Sequence, residues 1–324
     1  VIRELSEFFP GGKLKFSASA FKAYFQCPVR FFFEYVRNLR MYEETVDFID
    51  PASYGTVTHR VVQELYKPYA PADFNTDQPI TAANIDTMLK SDIELLAMKI
   101  LDNEYYHDRY DGRLDRMPGE GKVISLLIAK YVRKMLEIEK KWTETHPYTF
   151  LANEYCEKKV FHWRVTDKYT INFRMSIDRV DRTARGINPE DEELRFIDFK
   201  TGDDNLICMD MKSMLKDHKK TAIFQLLLYC YAYADLFNYK GKIKPMIYKF
   251  QTLATKGLPD LRINKKDLLD YRQADEIGFM DRFREKVEEI FNPEIPFRQT
   301  NNIEDCKYCS FKQICGRYPE DRKF

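Results

Sequence analysis

Near Tyr148 the texture of the chain changes, and that change constrains its fold more than any other feature. Upstream, apolar residues recur at helical spacing. Downstream come short segments rich in β-branched and aromatic residues: "FLANEYCEKKVFHWRV", "YTINFRMSIDRVDR" and "ELRFIDFKTG". They alternate as half-buried strands do. A helix returns over Thr221–Asn238, "KPMIYKFQTL" reads as a further strand, and a last helix covers Gln273–Phe291. A helical arm, strands, one crossover helix, a strand and closing helices make an α/β order.

The upstream part has its own punctuation. Ser17–Tyr35, "SASAFKAYFQCPVRFFFEY", reads as two short helices broken at Cys27-Pro28, because proline disfavours helix in the residue before it. Tyr54–Tyr66 has helical period. Two long amphipathic helices follow, Ala82–Asp108 and Lys122–Glu144; in the second, Ile124, Leu127, Ile128, Tyr131, Met135 and Ile138 share a face. These helices carry no separable core, so the chain reads as one domain with a helical insertion.

Of the 324 residues 44% are hydrophobic and 32% charged, which suits a folded chain with a sizeable core. No apolar run is long enough for a membrane span, and the first residues hold no signal-type apolar core. The start at Val1 fits a piece cut from a longer chain. Seven cysteines, an odd number, suit a reduced cytoplasmic setting in which clustered thiols bind metal. Three of them, Cys306, Cys309 and Cys315, stand in "EDCKYCSFKQIC". A tetrahedral metal or an iron–sulfur cluster wants four ligands. The net charge of +1 marks no nucleic-acid binder, but Lys212, Lys216, Lys219 and Lys220 cluster, and Lys307, Lys312 and Arg317 interleave the cysteines. No phosphate-loop motif of a nucleotide-driven motor occurs.

The chemistry concentrates in "RFIDFKTG", Arg195–Gly202. Residues two apart in a strand share a face, so Asp198 and Lys200 lie together while Ile197 and Phe199 pack the other way. Alone, this pair could be a surface ion pair. Asp178, twenty residues earlier in "MSIDRVDR", can meet Asp198 across a hairpin. Two carboxylates brought together repel unless a cation sits between them, and a hard divalent ion takes such oxygen ligands. Gly55 and His59 share a face of one helix, and Gln225 and Tyr229 a face of another.

In this order, Gly55-x3-His59, Asp178 in "IDR", "DFKTG" and Gln225-x3-Tyr229 resemble the PD-(D/E)XK nuclease superfamily, most closely its RecB/AddB branch. The resemblance implies a restriction-endonuclease-like core, a central mixed sheet flanked by helices, with a helical insertion and a C-terminal cysteine cluster. It implies that His59, Asp178, Asp198 and the carbonyl of Phe199 bind catalytic Mg²⁺ or Mn²⁺, that Lys200 acts in catalysis, and that Gln225 and Tyr229 order the site or touch DNA. Glu154 matches an acidic position of the branch; Asp181 fits the motif's flank. Members of the branch also hold a [4Fe–4S] cluster with one cysteine before the nuclease motifs and three after. "YFQCPVRF" makes Cys27 the partner of Cys306, Cys309 and Cys315, with Zn²⁺ as the rival occupant. Such a staple joins the two ends of the domain and constrains the unfolded chain by on the order of 5 kcal/mol, by analogy with disulfide loops. Cys156, Cys208 and Cys230 read as small buried hydrophobes.

The implied layout is an N-terminal segment (1–45), a helical arm carrying the motif histidine (46–145), a nuclease core (146–255) and a C-terminal helix with the cysteines (256–324). The implied function is a metal-dependent DNA nuclease, an exonuclease domain in double-strand-break repair and recombination. It would act on single strands or duplex ends, beside a helicase subunit or a helicase region of the same longer chain. Two alternatives remain open: a catalytically silent DNA-binding or scaffolding module with this fold, and a stand-alone nuclease of the CRISPR-adaptation type.

Overall fold

The structure is a computed structural model that describes residues 2–39, 49–71, 74, 76–184, 188–216, 220–258 and 260–317. The expected boundary between residues 45 and 46, and Lys219 of the lysine cluster, lie outside the described residues. The principal helices are α1 (Ala18–Gln26), α2 (Pro51–Tyr66), α3 (Ala82–Lys90), α4 (Ile93–Leu101), α5 (Gly119–Thr145), α6 (Thr221–Leu236), α7 (Phe250–Lys256) and α8 (Phe279–Phe291). The strands up to the crossover are β1 (Thr149–Tyr155), β2 (Phe161–Arg164), β3 (Thr170–Phe173), β4 (Ile177–Ala184), β5 (Glu193–Lys200) and β6 (Ile207–Cys208), with β7 (Lys242–Lys249) after it.

The expected α/β class holds. The central sheet has the order β1-β4-β5-β7. β1, β4 and β5 are antiparallel neighbours, and β7 joins β5 in parallel, so the sheet is mixed. A parallel return needs a crossover, and α6 lies within it. Both faces are covered. Leu194, Phe196, Ile243 and Ile247 belong to a core shared with α1, α6, α8 and the β2–β3 hairpin. Ile197, Phe199, Met246 and Tyr248 belong to a second core shared with α2–α5 and α7. Among the described residues no helix is long and apolar enough to cross a membrane.

Helix starts follow capping chemistry. The Asp50 carboxylate accepts from Ser53 N–H at 2.7 Å with Pro51 in the first turn of α2. Thr81 and Asn84 cap α3 reciprocally. The expected single helix Ala82–Asp108 is instead two, because Asp92 caps a new start and accepts from Leu95 N–H at 3.0 Å. The "KPMIYKFQTL" strand ends at Lys249 and turns into α7. The last helix begins only after Gly278, at a φ of 67°, which separates it from the 3-10 turn Tyr271–Ile277.

The expected inward face of α5 is also corrected. Ser125, Ile128, Ala129, Val132, Met135, Leu136 and Glu139 are buried, while Leu127 is exposed. Glu139 explains the rotation. It meets a buried ionic network on the arm-side face of the sheet. Arg179 donates to Glu139 at 3.1 Å and to Asp181 at 2.9 Å. Arg195 donates to Asp181 through Nε at 3.1 Å and through Nη2. The Tyr248 hydroxyl donates to Glu139. The Arg179 guanidinium stacks 4.3 Å from the Tyr66 ring centroid, and Arg195 stacks 4.6 Å from that of Tyr148. Two cations and two carboxylates thus balance in the interior. Burial works to raise the Glu139 carboxyl, but Arg179 and Arg195 outweigh it and hold it below its ordinary value.

Removing one member of such a set leaves a buried charge uncompensated. Asp181→Ala is expected to lower unfolding stability by about 3–5 kcal/mol, read as a lower urea midpoint. An unchanged midpoint would refute the view that this network ties the arm to the sheet.

Candidate active site

The same strands carry a different chemistry on their other face. Arg179 pairs with Ile197 across β4 and β5, which brings Asp178 and Asp198 to neighbouring positions at one end of the sheet. Asp178 Oδ2 accepts from Phe199 N–H at 2.8 Å. The Lys200 ammonium lies 2.8 Å from Asp198 Oδ2. From α6, Gln225 donates to Asp198 Oδ1 at 3.3 Å. Tyr229 is buried one turn further on; burial, then the charge of Asp198, raises its hydroxyl.

Helix α2 supplies the imidazole. His59 Nε2 lies 2.9 Å from the Phe199 carbonyl oxygen, and Nδ1 lies 3.5 Å from Asp178 Oδ2. One turn earlier, a Cβ on Gly55 would stand 3.3 Å from Thr201 Oγ1. Glycine there lets the helix lie close to the end of β5. Glu154 comes from β1, where its φ of 45° breaks the extended run, and Ser176 Oγ donates to Glu154 Oε2 at 2.9 Å. One ligand atom each from His59, Glu154 and Asp178 fall within 4.8 Å of one another. Asp198 stands outside this trio, held by Lys200 and Gln225. Sequence reasoning set Glu154 behind Asp198 as a ligand; the backbone turn that aims it inward has no sequence signature in "LANEY".

Electrostatics separates the roles. Burial, then Asp198, pushes the Asp178 carboxyl up to about 7, against Lys200 and the Phe199 N–H. Burial, then Asp178, raises Glu154. Burial lowers His59, favouring the neutral imidazole that can ligate. Burial also works to lower Lys200, but Asp198 and Asp178 outweigh it, so the ammonium stays protonated. One imidazole and two carboxylates that strain to ionise together suit a divalent cation.

The four cysteines of the motif line one small cavity together with Arg30 and Arg317. Cys27 ends α1 with an extended backbone, and Pro28 opens the next turn. Val29 N–H donates to the Arg298 carbonyl at 3.3 Å, and Phe31 packs 6.0 Å from Phe297, so the two ends of the chain meet here. Burial, then the neighbouring Cys27, raises the thiols of Cys306 and Cys315. Among the described residues no three of these sulfurs lie within 4.8 Å of one another. Cys156, Cys208 and Cys230 are buried elsewhere. Of the aromatics around Cys27, Phe21, Tyr24 and Phe31 are core residues.

The strand ends of a mixed sheet gather carboxylates, a lysine and a helix-borne histidine, and His59, Glu154 and Asp178 among them could hold a metal ion. The profile of the PD-(D/E)XK nuclease superfamily matches residues 15–316, and the chain belongs to that superfamily. The family makes it a nuclease by class, one for which Mg²⁺ or Mn²⁺ is the usual metal and DNA the expected substrate. No curated protein matches the chain.

A carboxyl whose folded value lies above its unfolded one adds stability below the unfolded value, and that contribution is lost as pH rises through the folded value. For Asp178 the window runs from 3.8 to about 7. In metal-free protein at pH 8, Asp178→Asn is therefore expected to raise stability by about 1–3 kcal/mol. Added Mn²⁺ should raise the melting temperature of the wild type and not of the variant. A variant less stable than the wild type at pH 8 would show that Asp178 is not electrostatically strained.

Proposed function

We propose that the chain is a metal-dependent DNA nuclease of the RecB/AddB-like branch, hydrolysing phosphodiester bonds as an exonuclease domain in double-strand-break repair. The observation that carries this reading is the His59–Glu154–Asp178 trio set beside the Asp198–Lys200 pair. The trio, with Asp198 and the Phe199 carbonyl at its edge, would hold Mg²⁺ or Mn²⁺. Such an ion supplies Lewis acidity to the phosphoryl oxygens and a more acidic water.

The chain's own residues do the rest. His59 is neutral and anchored on the Phe199 carbonyl, which fixes its ring. Lys200 is held protonated, so it stabilises negative charge growing on a non-bridging oxygen rather than abstracting a proton. Asp198 aims Lys200, and Gln225 aims Asp198. Tyr229 walls the site.

The four motif cysteines are read as ligands of a [4Fe–4S] cluster that pins 1–45 to 256–324, making the chain one nuclease domain. Zinc held by the same four thiolates is the rival occupant. A helicase subunit or helicase region as partner, in the cytoplasm, completes the reading.

End-labelled linear single- and double-stranded DNA with Mg²⁺ or Mn²⁺ tests the activity. Wild type should degrade it, and Asp198→Ala and Lys200→Ala should each lose about a hundredfold or more. No cleavage by protein with its cluster intact would sink the catalytic reading. Iron and sulfide analysis should find about four of each per chain, both lost in Cys306→Ser; one zinc per chain instead would overturn the cluster.

A further inference from the structure

Beside the catalytic groups lie two half-buried charges that the mechanism above does not use. Lys22 stands on α1, and Asp204 on the loop that follows β5. Among the described residues neither side chain makes a hydrogen bond or an ion pair. Yet each feels the other. Lys22 is in electrostatic reach of Lys200, Arg30 and Asp204. Asp204 is in reach of Lys200, Asp198, Lys249 and Lys22. The Asp204 carboxylate folds back over Gly202, where a Cβ would stand 3.5 Å from its Oδ2. Lys249 is engaged already, by Asp203 at 2.8 Å and the Asp204 carbonyl at 2.9 Å. Arg30 is engaged by Glu34 at 3.1 Å. Among the described residues Lys22 is therefore a cation without a partner in electrostatic reach of Lys200, and the Asp204 carboxylate is in reach of both.

We propose that Lys22 seats a backbone phosphate next to the scissile one, and that the charge of the nearby Asp204 carboxylate opposes that phosphate. The proposal rests on the nuclease reading and extends it to the substrate's path. A phosphate oxygen and a carboxylate are alternative partners for one ammonium. An ammonium partly withdrawn from water and left without a partner gains more from a phosphate than a solvated one does. Burial lowers the Lys22 ammonium, in keeping with that cost. Lys22 is also in electrostatic reach of Arg30, which lines the four-cysteine cavity. Lys22 is a positioning residue, and it acts on binding more than on the chemical step.

The test is fluorescence anisotropy of a labelled single-stranded oligonucleotide on the intact, cluster-containing protein, with Ca²⁺ in place of Mg²⁺, across a salt series. Steady-state cleavage in Mg²⁺ runs alongside. Lys22→Ala and Lys22→Gln should weaken binding about three- to tenfold and flatten the salt slope by about 0.7, the value of one phosphate contact on a single strand. KM should rise more than kcat falls, and Lys22→Arg should restore both. Asp204→Asn should tighten binding. Wild-type affinity and slope in both Lys22 variants would overturn the proposal, as would an Asp204→Asn variant that binds as weakly as Lys22→Ala. A wild type that cleaves DNA while the Lys22 variants match it defeats the phosphate seat alone. A wild type that neither binds nor cleaves defeats the nuclease reading with it.

Discussion

The balanced burial of Arg179, Arg195, Asp181 and Glu139 is the interaction on which the rest of the molecule depends. All four are essentially withdrawn from water. Glu139 belongs to α5, Arg179 and Asp181 to β4, Arg195 to β5, and Tyr248, which donates to Glu139, to β7. One polar knot therefore fixes the helical arm on three strands at once. A purely apolar contact of the same area would tolerate sliding, whereas these bonds hold only in one register. That register matters because the arm includes α2, and α2 brings His59 to the sheet's end.

The two faces of β4 show how a single strand serves two ends. Asp178 and Asp181 are three residues apart and point to opposite sides. Asp181 receives donors from two arginines, so its charge is compensated on folding. Asp178 receives one backbone N–H and faces Glu154 and Asp198, so its carboxyl is pushed up toward neutrality. The fold keeps its compensated charges on the arm side and its uncompensated ones at the site. Uncompensated charge costs stability without metal and becomes affinity when a cation arrives.

The strands, the crossover and the shared face of Asp198 and Lys200 were legible in the sequence because period-two alternation is a backbone property. The break at Ser91-Asp92 was legible only as a cap, and the surrounding apolar period hid it. The inward face of α5 was misjudged because hydrophobicity points to Leu127, while the buried face includes Ser125 and Glu139. A buried glutamate is recognisable only once its arginines are in place, and these lie on strands 40 residues or more away along the chain. Glu154 illustrates the same limit at the site. Its residue type was visible, but the positive φ that aims it at His59 and Asp178 arises from the sheet's edge and not from its neighbours in sequence.

Helix α1 then joins the two chemistries of the molecule. Ser17 caps its start, and Phe16 just before it exchanges backbone hydrogen bonds with the β3 region at 2.8 Å. Phe21 packs 4.7 Å from Phe283 of α8, and Phe25 packs 5.4 Å from Phe224 of α6. Its far end is Cys27. The helix is clamped along its length by aromatic contacts and ends at the four-cysteine cavity. Lys22 rides on it. A cluster at Cys27 would thereby set the position of a cation beside Lys200 without touching the carboxylates. Such a staple would give the cysteine site a mechanical route to substrate placement that requires no electron transfer.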